Sequence, residues 1–281
     1  MNMQAFSKLD GTLQDKLSAC GEILRTCGSV VVAFSAGVDS TFLLWLAART
    51  LGADNVLAAM GVSPSLAARE RQAGKDLAAE IGVELVEIET CELSDPNYAA
   101  NPANRCFYCK SDLFVRLKQL AADRGMAAVA SGANADDTGD FRPGLRAGKE
   151  LGTVSPLLAA GLTKDDIRAA SESVGLATWD KPAMACLASR VPYGQPITAE
   201  KLHRIEQAEY VLQDLGFRQC RVRDHEGLAR IEVPADHVPR AVQHRHKLVE
   251  AIKALGYTYV TLDLEGFRSG SMNEPLAPQD R

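Results

Sequence analysis

The chain has 281 residues, enough for one large domain and a smaller one, with 46% hydrophobic and 24% charged residues, an ordinary globular balance. Its net charge of -5 gives no general attraction to nucleic acid or to an anionic membrane surface, and no apolar run approaches the roughly 18 residues of a spanning helix. Met1 to Asp10 lacks a basic region followed by an apolar core, and seven cysteines are an odd number, so the expectation is a cytoplasmic protein with thiols that are free or bind metal.

Leu13, Leu17, Cys20, Leu24 and Cys27 are spaced four, three, four and three apart, the apolar stripe of a helix. Ser29 to Phe34 is a β-branched run and reads as a buried strand. A loop of small residues follows, then a helix over Thr41 to Thr50. Strand-like runs at Val56–Met60, Val83–Ile88 and Ala127–Ser131 alternate with helical stretches at Ser65–Ile81 and Asp112–Arg124. Such alternation predicts an α/β fold, a parallel sheet with helices on both faces. Thr163 with Asp166 resembles a capping box opening a helix that runs to about Gly175. Pro192, Gly194 and Pro196 mark a boundary at Ser189–Thr198. Beyond it come a helix (Glu200–Leu215), two strands (Gln219–Asp224, Leu228–Val233), a helix (Ala235–Leu255) and a strand (Tyr257–Leu262), a small α+β unit. The expected organisation is a domain over 1–188, a second over 199–267 and a flexible tail over 268–281.

Within Val30 to Leu44, a buried strand runs through Ser35-Ala36-Gly37-Val38-Asp39-Ser40 straight into a helix. Unpaired N–H groups and the dipole at such a helix start suit phosphate. Ser35 and Ser40 add hydroxyl donors, and Gly37 permits close backbone approach. The alternative is a turn capped by Asp39 or Ser40 with no ligand. No Walker A lysine motif is present. The stretch instead resembles the SGGxDS signature of PP-loop ATP pyrophosphatases, in which the loop holds the leaving pyrophosphate while the substrate attacks the α-phosphate. Ala36 replaces the first glycine, a departure of little consequence if the backbone there is ordinary. Asp39 would help to place magnesium or the nucleotide.

Cys106 and Cys109 form C-x-x-C in NRCFYCK, and Cys186 lies far off in KPAMACLASR. A redox pair, a structural zinc and an iron–sulfur cluster on three thiolates compete. All five histidines, from His203 on, lie in the C-terminal part, so zinc would need a ligand from across the boundary. Their position also excludes a Ser-His-Asp triad confined to the N-terminal domain. Arg105, Lys110 and Arg190 flank the cysteines and either lower their pKa values or are solvated surface. Cys20 and Cys27 read as core residues, and Cys91 and Cys220 are assigned no role.

Taken together, SAGVDS, NPANRCFYCK, WDKPAMACLASRVPYG, the RVR at Arg221–Arg223 and the ending GFRSGSMNE resemble the LarE family over nearly the whole chain. LarE proteins are sulfur transferases in the biosynthesis of the nickel-pincer nucleotide of lactate racemase. The resemblance implies a Rossmann-like PP-loop domain and a small-molecule substrate, a pyridinium dicarboxylate mononucleotide. One carboxylate is adenylylated by ATP with Mg2+, and sulfur displaces AMP to leave a thiocarboxylate. Sulfur comes either from a sacrificed cysteine, here Cys186, or from a 4Fe-4S cluster on three cysteines. With Cys106, Cys109 and Cys186 the chain looks like the cluster type. Arg221 and Arg223 alternate along a strand and share a face suited to the substrate phosphate, or else lie on a solvated sheet face. Ser189 and Arg190 would contact the same phosphate, and Glu209 is a candidate metal ligand. Gly132 and Asp137 follow a strand end, where open α/β sheets bind ligands; Gly132 is a candidate for the nucleotide and Asp137 for the metal or the substrate, while Asp136 would serve either the ligand or a cap. A homo-oligomer is implied, with a hexamer as one form. The rivals are a tRNA thiolase, an ammonia-using ligase of the same superfamily and a nucleotide-sensing iron–sulfur protein. The acidic charge and the lack of a dense basic tract argue against nucleic acid.

Overall fold

The structure is a computed structural model and describes residues 6, 7, 9–139, 143–268 and 270–274. In chain order, α1 (Gly11–Cys27), β1 (Val30–Ala33), α2 (Val38–Leu51), β2 (Val56–Val62), α3 (Ala68–Ile81) and β3 (Glu84–Glu89) come first. Next are α4 (Pro96–Ala99), α5 (Arg105–Asp123), β4 (Ala128–Ala130), α6 (Pro143–Glu150), α7 (Pro156–Ala159) and α8 (Lys164–Ser173). Then follow α9 (Ala199–Asp214), β5 (Arg221–His225), β6 (Leu228–Glu232), α10 (Val238–Gln243), α11 (Arg245–Ala254) and β7 (Tyr259–Leu262). Among the described residues no helix is long and apolar enough to cross a membrane.

The chain divides into two compact units. The first holds the residues up to Ser63, Ala68–Cys91 and Cys106–Met184; the second holds Pro64–Ala67, Glu92–Arg105 and the chain from Ala185 on. Of the tail expected to be flexible, residues 269 and 275–281 lie outside the described residues.

The first unit is built on a parallel sheet in the order β3-β2-β1-β4, the α/β Rossmann-like arrangement expected. Val30, Val31 and Val32 are fully buried because β1 is central and covered on both faces, which is why it reads as a continuous apolar run. Phe114, Leu117 and Ala121 of α5 pack on Val31, Leu57, Ala59 and Val129. Burying each large side chain of this cluster contributes about 1.5–3 kcal/mol. The α1 stripe is buried through Leu13, Leu17, Cys20 and Leu24, and Asp10 caps the helix by accepting from the Leu13 N–H at 3.0 Å.

Across α3 and β3, Arg71 donates to both Glu87 oxygens at 2.6 and 2.7 Å, with Lys75 at 3.1 Å. Arg71, with Lys75 adding, holds the Glu87 carboxyl at about 2 against its ordinary 4.5. A lowered folded-state pKa contributes stability above the unfolded value and loses it as pH falls through the folded one. The wild type is therefore expected to lose urea resistance between pH 4.5 and 2 more steeply than Glu87→Gln, by a modest amount because the pair is partly solvated. Urea midpoints at pH 7 and pH 3 measure the difference.

The second unit carries a sheet in the order β5-β6-β7, with β5 and β6 antiparallel and β6 and β7 parallel. His225 pairs with Leu228 around Glu226-Gly227, whose φ values of +51° and +97° match the twist of a two-residue hairpin turn. Val222, Ala229 and Ile231 pack on Leu212 of α9 and Leu248 and Ile252 of α11.

Two helices differ from the sequence reading. α5 begins at Arg105 rather than Asp112, which puts the C-x-x-C in the first turn of the helix. The helix expected over Ala235–Leu255 is broken at His244, whose ψ of 7° leaves the α-helical well.

Candidate nucleotide loop, thiols and buried arginines

β1 delivers the chain to the loop at the carboxyl end of its strand, and α2 begins with Gly37 as N-cap in extended conformation. Neither Asp39 nor Ser40 caps the helix. The Ser40 hydroxyl turns back instead, accepting from the Ser35 N–H at 3.2 Å, lying 3.1 Å from the Ser35 hydroxyl and donating to the Gly37 carbonyl at 3.2 Å. The loop is thus stitched by its own serines, and the first-turn N–H groups of α2 remain free of side-chain caps. At Gly132, beside β4, a Cβ would lie 3.0 Å from the Ser40 nitrogen and 3.3 Å from the Asp39 carbonyl carbon. Glycine there lets the strand end approach the start of α2.

Ala36 corrects an expectation: its φ is +55°, in the left-handed region, and it is fully buried. An L-residue held there costs about 1–2 kcal/mol. Glycine would relieve that, but would lose about 0.8 kcal/mol of methyl burial and about 0.4–1 kcal/mol to a freer unfolded chain. Ala36→Gly is therefore expected to change stability by less than about 1 kcal/mol, whereas Ala36→Val, β-branched at positive φ, is expected to cost more than about 2 kcal/mol, both read from denaturant midpoints.

Two lysines reach this loop, and neither was singled out from sequence. Lys164, the first residue of α8, pairs with Asp39 Oδ2, and its N–H donates to Asp136 at 2.7 Å. The expected capping box is present, with Thr163 and Asp166 bonded reciprocally. Asp39 Oδ1 is buried without a hydrogen-bond partner, an acceptor suited to a cation. Asp137 accepts from the Asn134 N–H at 3.0 Å. Lys181 donates to the Ala36 carbonyl at 3.1 Å and to Glu70 at 2.7 Å.

In the same unit, Cys106 and Cys109 lie one turn apart at the start of α5, Cys106 exposed and Cys109 half-buried. α4 and a loop precede them rather than a strand, unlike a thioredoxin-type pair. The Arg146 guanidinium lies over the Phe107 ring at 4.4 Å, and Lys110 over Phe114 at 5.9 Å.

In the second unit, Cys186 is exposed and opens the 3-10 turn Leu187–Arg190. Arg190 is 1% exposed and shapes that turn. Its Nη1 donates to the Ala185 carbonyl (2.6 Å), the Cys186 carbonyl (3.0 Å) and the Ser189 hydroxyl (2.9 Å). Its Nε and Nη2 bond Glu209 at 2.8 and 2.9 Å. Burial alone would lower the Arg190 pKa, but the Glu209 carboxylate outweighs it and holds it above the ordinary value. Glu209 also accepts from the Val222 N–H at 3.0 Å. Both its oxygens are engaged, so the residue expected to bind metal serves here as a buried counter-ion.

Arg221 and Arg223 do share a face of β5, yet that face is not solvated: they are 3% and 4% exposed. Arg223 pairs with Glu232 at 2.9 and 2.8 Å and donates to the Ser189 carbonyl at 2.7 Å. Arg221 donates to the Cys220 carbonyl at 2.7 Å and stacks over Phe267 at 5.1 Å. Burial, reinforced by the neighbouring Arg190 charge, pushes its pKa down to about 10. Arg190, Arg221 and Arg223 thus form one buried cluster of guanidiniums, in which Arg190 pairs with Glu209 and Arg223 with Glu232. Arg105, also expected beside the thiols, is buried against Asn101 at 2.8 Å and over the Tyr193 ring at 4.7 Å.

Burial pushes the Cys20 and Cys220 thiols up to about 12, as befits packed side chains. Among the described residues, no cysteine is in a disulfide and no three His, Cys, Asp or Glu side chains are grouped to hold a metal. Cys106 and Cys109, presented from one helical turn, are thiol donors of the kind an iron–sulfur cluster takes, and Cys186 is another.

No family model matches the chain. It is 43% identical over 266 residues to the uncharacterized protein slr1717 of Synechocystis, covering 94% of this chain and 99% of that one. It is 38% identical over 265 residues to the pyridinium-3,5-bisthiocarboxylic acid mononucleotide synthase of Lactiplantibacillus plantarum, covering 94% and 96%. The uncharacterized protein MJ0830 of Methanocaldococcus jannaschii is 30% identical over 169 residues, covering 60% and 66%.

Proposed function

The chain belongs to the LarE family of pyridinium-3,5-bisthiocarboxylic acid mononucleotide synthases, and we propose that it activates a carboxylate of a pyridinium-3,5-dicarboxylate mononucleotide with ATP and exchanges the adenylate for sulfur. The observation that carries this reading is the match to that synthase over 96% of its length. A carboxylate oxygen attacks the α-phosphorus of ATP, the bond to the β-phosphate breaks and pyrophosphate leaves. The first-turn N–H groups of α2 receive that pyrophosphate, where the helix dipole favours negative charge, with Ser35 and Ser40 holding the loop in shape around it. Asp39, through its buried Oδ1, and Asp137 would hold Mg2+, which supplies charge neutralisation at the phosphates. Arg190, Arg221 and Arg223 supply the positive surroundings for the substrate phosphate, with Ser189 held beside them. The acyl adenylate is an easy target for sulfur because AMP is a good leaving group. Cys106, Cys109 and Cys186 would hold a 4Fe-4S cluster, which when bound supplies a replaceable sulfide. We place the protein in the cytoplasm as a homo-oligomer, with a hexamer as its working form.

The test is an anaerobic reaction of the chain with ATP, Mg2+ and the mononucleotide. Equal amounts of AMP, pyrophosphate and thiocarboxylate are expected from protein that carries iron and acid-labile sulfide and keeps its polypeptide mass. A polypeptide that instead loses one sulfur would replace the cluster by sacrifice of Cys186. Absence of pyrophosphate release would remove the activation step altogether.

A further inference from the structure

Lys181 sits far along the chain from the nucleotide loop, yet its ammonium lies 3.1 Å from the Ala36 carbonyl. Two other side chains hold it there. Glu70, in the first turn of α3, accepts from it at 2.7 Å. Arg168 of α8 donates to the carbonyls of Trp179 and Lys181 at 2.6 and 2.9 Å, fixing the turn that carries the lysine. The bonded carbonyl belongs to the residue with φ +55°.

A trans peptide points its C=O and the following N–H in opposite directions. A group that holds the Ala36 carbonyl therefore also aims the Gly37 N–H, the donor that opens α2. We propose that Lys181 is a positioning residue of the nucleotide loop. It latches the Ala36–Gly37 peptide so that this N–H faces the departing pyrophosphate, and its charge polarises the same peptide and strengthens the donor. Glu70 holds the ammonium on the carbonyl. This rests on the ATP-dependent reading above.

Lys181→Met is expected to raise the Kd and KM for ATP about tenfold, as the loss of a charge-assisted bond would, with the KM for the mononucleotide unchanged. Lys181→Gln, which keeps a donor without the charge, gives a smaller shift of the same sign and decides the matter alone should the methionine variant fail to fold. In an Ala36→Gly background the Lys181→Met penalty grows, because glycine lets the unlatched peptide turn over. A purely structural lysine would lower the unfolding midpoint while leaving the ATP constants in place, or would move both substrates' constants together with additive effects; either result overturns the latch. Calorimetric ATP binding keeps the two readings apart. A wild type that binds no ATP sinks the nucleotide reading itself, whereas wild type and variant with equal Kd sink the latch alone.

Discussion

Glu209→Ala is expected to destabilise the protein by about 3–5 kcal/mol, because it leaves the Arg190 charge buried without its carboxylate. Arg190 is 1% exposed, so water cannot readily take over from the lost partner. Its remaining acceptors are carbonyls and a hydroxyl, which cannot neutralise it. The Val222 N–H also loses its acceptor, at a further cost of about 1–3 kcal/mol if it stays buried and unpaired. The two penalties overlap, since one rearrangement or one entering water can relieve both. Removing both charges should behave differently. Arg190→Met with Glu209→Leu is expected to recover only part of the stability: apolar side chains of similar volume avoid the desolvation of the ion pair, but the Val222 N–H and the Ala185 and Cys186 carbonyls stay without these partners. The double variant would still lack function, as the turn carrying Cys186 is shaped by Arg190. Urea denaturation of the two variants measures this. A single-variant loss below about 1 kcal/mol would mean the pair is not the buried element the geometry describes.

Cys186→Ala is expected to lower thiocarboxylate formation by roughly a thousandfold while pyrophosphate release survives. The split follows from where the groups lie in the chain. The proposed nucleotide loop is built from Ser35 to Ser40 and stitched by its own hydroxyls. Cys186 is exposed, so its truncation leaves no cavity and should shift stability by no more than about 0.5 kcal/mol. Cys106→Ala and Cys109→Ala are expected to lose sulfur transfer as well, since a cluster needs all three thiolates. Retention of a full first turnover in those two variants, with Cys186 intact, would assign the sulfur to Cys186 itself. Chromatographic quantitation of AMP and thiocarboxylate in one reaction reads both halves.

Elements governed by local pattern were legible from the chain. The α1 stripe, the β-branched β1 run and the Thr163–Asp166 box each depend on residues within a few positions of one another, and each appears as expected. What failed was set by tertiary contact. The start of α5 is masked by Pro102 and Asn104 just before it, although Phe107, Phe114, Leu117 and Ala121 share one apolar face from its first turn on. The positive φ of Ala36 has no local signal, since alanine rarely adopts it, but a family signature with glycine at that position pointed there. Arg221 and Arg223 alternate as exposed residues do; only their carboxylate and carbonyl partners distant in sequence make burial tolerable. Lys164 and Lys181 were legible only as ordinary charges, because nothing in their neighbourhoods announces contact with Asp39 and Ala36.

The proposed reaction requires a carboxylate oxygen to attack phosphorus before sulfur arrives at carbon. A mononucleotide carrying 18O in its carboxylates is therefore the most direct probe. Mass spectrometry of the products should find one 18O in the phosphate of AMP for each oxygen replaced by sulfur. AMP free of the label, or ADP as the nucleotide product, would contradict it.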